Sequence, residues 1–580
     1  MYTPIATRKT TWMAVVLGIG LLGALPAPAF AEAAKKEMGF LQASAQDMRW
    51  WREARFGLFV HWGPVSLKGT EIGWSRGGER RGRKDRGSQI PVEVYDNLYK
   101  QFNPTKFDAD QWASIAKAAG MKYLVFTSKH HDGFSMFDSK LTEYKITNSP
   151  FKRDIVGELA SAFRKAGLRV GYYYSPPDWY HPDYRTKNHD RYIKFLHGQL
   201  RELCTNYGKI DIIWFDGLGG KPADWDAVNL VRMIRRLQPG VIINNRSGLP
   251  CDHDTPEQRI GTFQNKRAWE SCITICRQWA WKPNDKLKSL EQCIRTLANC
   301  AGGDGNLLLN VGPMPTGEIE PRQVARLEEI GQWLAKYGQT IYATRGGPFK
   351  PWRGGASTHK DNQIYVHVFD WPDEGLVLPP IEKKIVSSSL LTGPGAPAVG
   401  GTQGAKVTQT SDGIQIAVPP SHRQQIDTIV ALELDGPACQ IPPKSASQSG
   451  SVAEGKRARA SNVYRKMNHQ FGPDKALDDD DATRWATDAG THAAWLEVDL
   501  GKPETIDRAM IHEAYAGRVQ SFSLQVKQGA AFRTIHKGTT IGERRMIKFK
   551  PVTARIVRLE IQKATEGPTL WEFQLYPVKK

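Results

Sequence analysis

Asp216 closes the run Ile210-Asp211-Ile212-Ile213-Trp214-Phe215-Asp216-Gly217, an apolar stretch of strand character that stops at a carboxylate and a glycine. A buried strand is extended most cheaply with Val or Ile. An ionisable group at its carboxyl end therefore points to chemistry, because that is where a parallel α/β barrel opens its active site. The plain alternative is a solvated Asp capping the next helix. Other polar residues end other apolar runs: His61-Trp62-Gly63, Lys129-His130-His131-Asp132-Gly133-Phe134, Tyr174-Ser175 and Arg246. On a barrel all of these would gather at one mouth. Three histidines near carboxylates could bind a metal, but neighbouring side chains on a strand face opposite ways, so His130 and His131 are not expected to reach one ion and no metal is expected. Imidazoles for hydroxyl groups, with aromatic rings beneath an apolar face, suit a sugar better. The competing reading is a metal-dependent hydrolase built on His61, His130 and His131, which chelators would inactivate.

The elements that must hold these groups are readable as a β then α alternation. Segments 56–60, 122–126, 168–174, 210–215, 241–244 and 306–311 read as buried parallel strands, and 109–119, 154–166 and 225–237 as amphipathic helices. Repeated over about residues 46–343, the pattern predicts an α/β catalytic domain with a (β/α)8-like barrel. From residue 344 to 440 short alternating segments, such as 363–369 and 413–418, predict a β-sandwich. Residues 441–455, rich in Pro, Ser and Lys, read as a linker, and 456–580 as a second all-β unit.

Residues 1–31 pair Arg8 and Lys9 with an apolar run and end Ala29-Phe30-Ala31, the pattern of a secretory signal peptide. A periplasmic or secreted protein follows as an expectation, with no transmembrane anchor in the mature chain, since no later stretch is long and apolar enough to span a bilayer. The net charge of +19 stays strongly positive without Arg8 and Lys9. Lys and Arg are scattered rather than striped, so the surplus points away from nucleic acid and toward a polyanionic environment or substrate, such as a sulfated or uronate-bearing polysaccharide. Of the seven cysteines, Cys204, Cys251, Cys272, Cys276, Cys293 and Cys300 fall in one region and read mostly as small core residues.

The run Trp50-Trp51-Arg52-Glu53-Ala54-Arg55-Phe56-Gly57-Leu58-Phe59-Val60-His61-Trp62-Gly63, together with Lys129 to Phe134, Trp214 to Gly217 and Gly305 to Pro313, resembles glycoside hydrolase family 29, the α-L-fucosidases. The resemblance covers most of residues 46–440 and implies a retaining exo-α-L-fucosidase acting on fucosylated oligo- or polysaccharides, with no cofactor required. Retention needs two carboxyl groups, one a nucleophile and one an acid then base. By the resemblance Asp216 is the nucleophile. Its partner is either Glu257, on the loop after the fifth strand, or Glu270, at the start of the next; Glu257 is favoured because a loop carboxylate can swing over the glycosidic oxygen. The resemblance further implies that His61, His130, His131, Tyr174 and Arg246 hold the sugar hydroxyls and ring, with Trp74 and Trp279 as aromatic walls. The family commonly has an acidic residue before that first Trp. Here Gly73 stands there, so either Glu71 substitutes for it or the sugar preference has moved. The basic insert of Arg76, Arg80, Arg81, Arg83 and Lys84 could meet an acidic or sulfated aglycone.

The last unit resembles the discoidin-like, coagulation-factor C-type domains through Gly472 to Asp478, Thr483-Arg484-Trp485 and Trp495 to Gly501, which implies a carbohydrate-binding module. Its acidic run Asp478 to Asp481 could cradle a structural Ca²⁺. Two alternatives accompany the fucosidase reading: a glycan-binding protein that has lost catalysis, and a glycosidase for a related sugar such as α-L-galactose or a sulfated fucoside.

Overall fold

The structure is a computed structural model that describes residues 39–83, 86–87, 89–372, 375–392, 404–446, 450–479 and 483–578. The expected signal peptide and Lys84 lie outside the described residues, as does part of the acidic run after Asp479. Eight parallel strands form the first domain: β1 (Phe56–Val60), β2 (Tyr123–Lys129), β3 (Arg169–Tyr174), β4 (Ile212–Phe215), β5 (Ile242–Ile243), β6 (His253–Asp254), β7 (Ala268–Thr274) and β8 (Asn306–Val311). They hydrogen-bond in the order β5-β4-β3-β2-β1-β8-β7-β6, and one further bridge between Asn244 and His253 joins the two ends of the sheet. The result is a near-closed barrel.

Period-two alternation sorts the strand side chains into two cores. Phe59, Val125, Tyr173, Ile212, Trp214 and Leu308 fill the barrel, while Leu58, Phe126, Tyr174, Ile213 and Phe215 face outward into the layer shared with the helices. The barrel floor is plugged by α1 (Ala45–Ala54), whose Met48, Trp51 and Ala54 join the inner core. Around the outside run α2 (Ala109–Ala118), α3 (Ile155–Lys165), α4 (His189–Asn206), α5 (Ala227–Leu237), α6 (Leu290–Gly302) and α7 (Pro321–Tyr337). Three of these start at caps visible in the sequence: Asp108 accepts from the Gln111 N–H at 3.0 Å, Asp154 from the Gly157 N–H at 3.1 Å, and Ser289 forms a reciprocal pair with Gln292.

A five-stranded and a three-stranded antiparallel sheet enclose a separate apolar core after the barrel, and a seven-stranded antiparallel sheet built on Ala494–Glu513 and Arg545–Ala564 encloses a third. The segment read as a linker is held at both ends. Lys444–Ser445 pairs with Phe349–Lys350 of the sandwich, and Ala453 is buried in the last core. All seven cysteines are free thiols, six of them buried. No helix among the described residues is long and apolar enough to cross a membrane.

Candidate active site

The carboxyl ends of β1 to β5 surround a cavity of about 480 Å³ lined by His61, Trp74, His130, Tyr173, Trp214, Asp216, Arg246, Glu257 and Trp279, among others. Asp216 stands one residue past β4 and is 14% exposed. Its Oδ2 accepts from the Tyr173 hydroxyl at 3.0 Å and faces the His131 Nε2 at 3.5 Å, while its Oδ1 accepts from the Arg246 Nη1 at 3.1 Å. Gly217 makes this approach feasible, since a Cβ there would collide with the Arg246 carbonyl. Arg246 continues to Glu257, whose Oε2 lies 2.8 Å from the Arg246 Nη2. Its Nε donates to the Thr255 hydroxyl at 2.7 Å, and the guanidinium stacks over Trp214. Burial acts to lower the pKa of Arg246, yet Asp216 and Glu257 hold it above the ordinary value. One fixed cation therefore carries two carboxylates.

Glu257 is 43% exposed, on a stretch that runs beside β7: the Cys272 N–H donates to the Pro256 carbonyl and the Gln258 N–H to the Cys272 carbonyl, both at 3.0 Å. The structure puts Glu270 elsewhere. It is the third residue of β7, paired with Asn306 at the start of β8, and is fully buried deep in the barrel against the Tyr123 hydroxyl, His253, Trp51 and Trp214. Burial pushes its carboxyl up to about 7. Strand starts lie at the closed end of a parallel barrel, so Glu270 is not among the residues lining the cavity.

The histidines are buried and neutral. Burial pushes His61 down to about 4, against the opposing effect of its 2.7 Å hydrogen bond to the Asn310 side-chain oxygen. Burial also takes His130 and His131 well below the ordinary imidazole range. The expectation that His130 and His131 face apart is corrected. β2 ends at Lys129, and the chain turns there with the Gly133 N–H on the His130 carbonyl, so strand alternation no longer applies and the two rings sit 4.2 Å apart. Ser175 orients His131 through Nδ1 at 2.6 Å. His130 stacks parallel on Tyr173, and its buried Nδ1 has no hydrogen-bond partner. Such a nitrogen is costly to bury unless a ligand satisfies it. Among the described residues, His130, His131 and Asp216 are the group whose donor atoms, all within 4.8 Å, could hold a metal. A cation there would compete with Arg246 for the same carboxylate, so the donor set fits a metal poorly.

A second correction concerns Tyr174. Its hydroxyl donates outward to Gln199 of α4 at 2.7 Å, and the residue is fully buried in the barrel–helix layer. The residue facing the site is Tyr173, aligned with Trp214 across β3 and β4 and stacked on it at 18°. Sequence reading missed Tyr173, Trp214, Phe59 and Asn310. Trp214 and Phe59 share a face with Asp216 and His61 by period-two spacing, the available signal for those two, whereas Tyr173 joins them only through its cross-strand pairing with Trp214. Glu71 is not among the residues lining the cavity either. It accepts from the backbone N–H groups of Trp279 at 2.9 Å and Ala280 at 3.1 Å, and so fixes the wall that Trp279 provides; burial raises its carboxyl to about 6.

Two carboxyl groups, neutral imidazoles and indole walls around one sugar-sized cavity are the parts of a glycosidase site. A family model described as Alpha-L-fucosidase matches residues 30–339, more than half of the chain. The chain belongs to the α-L-fucosidase family. A model described as F5/8 type C domain matches residues 457–573. The alpha-L-fucosidase of Branchiostoma floridae is 33% identical over 56% of this chain and 80% of its own length, and the tissue alpha-L-fucosidase of Rattus norvegicus 31% identical over 64% and 87%. Alpha-L-fucosidase isoenzyme 1 from Paenibacillus thiaminolyticus superposes with a TM-score of 0.61 at 35% identity, covering 67% of this chain and 99% of that one. An alpha-L-fucosidase from Bacteroides thetaiotaomicron, solved as a trapped covalent intermediate with a Glu to Gln variant, superposes with a TM-score of 0.59 at 28% identity, covering 68% and 97%. The protein is thus a glycoside hydrolase of the fucosidase family with a discoidin-like C-terminal domain, and its substrate is a fucosylated glycan.

The two tyrosines give a direct test of the fucosidase site. Tyr173→Phe removes the hydroxyl on Asp216 and is expected to lower kcat for an aryl α-L-fucoside by roughly 10-fold to 100-fold, the worth of one charge-assisted hydrogen bond. Tyr174→Phe is expected to leave kcat within about threefold and to cost about 1 kcal/mol in urea unfolding, because only the Gln199 bond is lost. Equal kinetic losses in both variants would contradict the inward and outward assignment.

Proposed function

We propose that this enzyme removes terminal α-L-fucosyl residues by double displacement, with Asp216 as nucleophile and Glu257 as acid and then base. The observation that carries this reading is Arg246 holding both carboxylates on one guanidinium at the cavity wall. A retaining pair needs carboxyl groups about 5–5.5 Å apart, and two carboxylates on neighbouring nitrogens of one guanidinium are close enough to meet that requirement. Asp216 attacks the anomeric carbon while Glu257 protonates the departing oxygen, which gives a glycosyl ester. Glu257 then takes a proton from water, and the water oxygen displaces Asp216 from the anomeric carbon with the original configuration restored. The relative trapped as a covalent intermediate supports the same course. Neutral His61, His130 and His131 can donate to or accept from sugar hydroxyls without adding charge beside the cation-like transition state. Trp74 and Trp279 flank the ring as apolar walls.

The basic, apolar and small-residue pattern of residues 1–31 supports export to the periplasm or beyond. The C-terminal domain serves as a glycan-binding module in this reading, supported by Arg484 packed among the rings of Phe471, Tyr515 and Trp571. The test is hydrolysis of 4-nitrophenyl α-L-fucoside followed by NMR, in buffer with EDTA. The expected result is α-L-fucose as the first-formed anomer at a rate the chelator does not change. β-L-Fucose first would refute double displacement, and loss of rate with EDTA restored by a divalent cation would favour the metal-dependent reading.

A further inference from the structure

Asn310 is a buried amide on the inward face of β8, two residues past Leu308 of the inner core and paired across the strand with Phe59. An amide at such a position is costly unless its oxygen and its NH2 group both find partners. Both do, and the partners bear on the sugar pocket. The Asn310 Nδ2 donates to the Trp279 carbonyl at 2.8 Å, and the Oδ1 lies 2.7 Å from the His61 Nδ1.

These two contacts fix where the hydrogens are. A backbone carbonyl can only accept, so the amide must turn its NH2 group toward Trp279 and its oxygen toward His61. An amide oxygen can only accept in turn, so the His61 Nδ1 carries the hydrogen. Burial keeps His61 neutral, with its pKa down to about 4, and a neutral imidazole has one N–H. Nε2 is therefore a bare lone pair, and it is the one polar atom that His61 can bring to a ligand in the cavity it lines. The same amide holds the aromatic wall. Trp279 is tied through both of its backbone groups, its N–H to Glu71 at 2.9 Å and its carbonyl to Asn310, and its ring centre lies 4.8 Å from that of His61.

Resting on the fucosidase reading, we propose that Asn310 is a positioning residue that fixes His61 as a hydrogen-bond acceptor, so that the pocket selects a sugar hydroxyl donating its hydrogen to the His61 Nε2, and that the same amide sets the Trp279 wall beside that hydroxyl. An ether, carbonyl or fluorine at the same place on the sugar has no hydrogen to give and is rejected. The specificity lies in the direction of the bond, which a histidine alone does not determine.

The experiment is NMR of the mature enzyme carrying nitrogen-labelled histidine, in which the two ring nitrogens report directly which one bears hydrogen; the His61 signals are those lost in His61→Gln. Wild type at neutral pH is expected to show His61 with hydrogen on Nδ1 and none on Nε2, and saturation with L-fucose should shift Nε2 while leaving it bare. Asn310→Leu removes both contacts and should lose the fixed Nδ1–H form and raise the inhibition constant of L-fucose by roughly 10-fold, the cost of a hydrogen bond no longer set up. Asn310→Asp keeps an oxygen facing Nδ1 and adds a negative charge there, which favours the imidazolium, so the His61 titration should move up from about 4. Binding of L-fucose to this variant should then weaken as pH falls through the raised value, where Nε2 gains a hydrogen and stops accepting. The other groups that act on the His61 charge, Asp216 and Arg246, and the neighbouring His130 ring are the same in both proteins. Hydrogen on the wild-type His61 Nε2 overturns the proposal without any variant having to fold. An inhibition constant and a hydrogen position both unchanged in a folded Asn310→Leu overturn it too, and in either case turnover of 4-nitrophenyl α-L-fucoside leaves the fucosidase reading intact. Absence of both turnover and L-fucose binding in wild type removes both.

Discussion

Asp216→Ala is expected to lower kcat/KM for an aryl α-L-fucoside by about 10⁴-fold or more, because it removes the atom that forms the covalent intermediate. The loss is chemical rather than structural. Arg246 keeps its bonds to Thr255 and Glu257, and Tyr173 remains stacked on Trp214. The urea midpoint should therefore move little. Azide supplies a small nucleophile to the vacated face, so the variant should regain turnover and release β-L-fucosyl azide, with the configuration inverted once. Residual activity within tenfold of wild type would remove Asp216 from the nucleophile's role.

The second large effect separates the two glutamates. Glu257→Ala is expected to cost about 10²- to 10⁴-fold on substrates with poor leaving groups and much less on nitrophenyl fucoside, whose leaving group needs little proton donation. With azide it should yield α-L-fucosyl azide, the configuration retained through two inversions. Glu270 should behave as a stability residue. Its folded pKa of about 7 lies above the ordinary 4.5, so the folded state favours the protonated carboxyl that the Tyr123 hydroxyl and the surrounding indoles enclose. The stability it contributes is complete below about pH 4.5 and is lost as pH rises through 7, a change of roughly 3 kcal/mol. Glu270→Gln should flatten that slope in urea unfolding between pH 4.5 and 8, while leaving the azide-free rate of a well-folded enzyme nearly intact. Azide rescue of Glu270→Ala with none of Glu257→Ala would exchange the two assignments.

Much of the frame was legible because it is local. The apolar runs 56–60 and 306–311 are strands with those same bounds, since burial on both faces selects Val, Leu and Phe at most of their positions. Asp108, Asp154 and Ser289 announce helix starts through bonds spanning three residues. The β then α order leaves few topologies open, and the family motifs at the strand ends identify the mouth of the barrel.

The features that needed the tertiary structure all depend on partners distant in the chain. Tyr173 and Tyr174 are equivalent in composition and adjacent in sequence. Only the register that aligns Tyr173 with Trp214 decides which one turns inward, because a shift of one residue exchanges the faces of a strand. His130 and His131 share a site because β2 stops one residue before them, an end set by tertiary contacts rather than by propensity. Glu257 and Glu270 are thirteen residues apart and alike as side chains. The parallel pairing of β7 with β8 carries one to the closed floor, and the bridge to Cys272 brings the other beside Arg246. Arg83 is one basic residue among several in the sequence, and the fold brings its guanidinium to the pocket wall 4.8 Å from the Trp74 ring centre. The sequence by itself determined the barrel, its opening and the family, since strand periodicity and short-range caps act through neighbours in the chain. Which face, which carboxylate and which cation serve the site was decided by the tertiary structure, since those depend on long-range register and on the low-dielectric surroundings that folding creates.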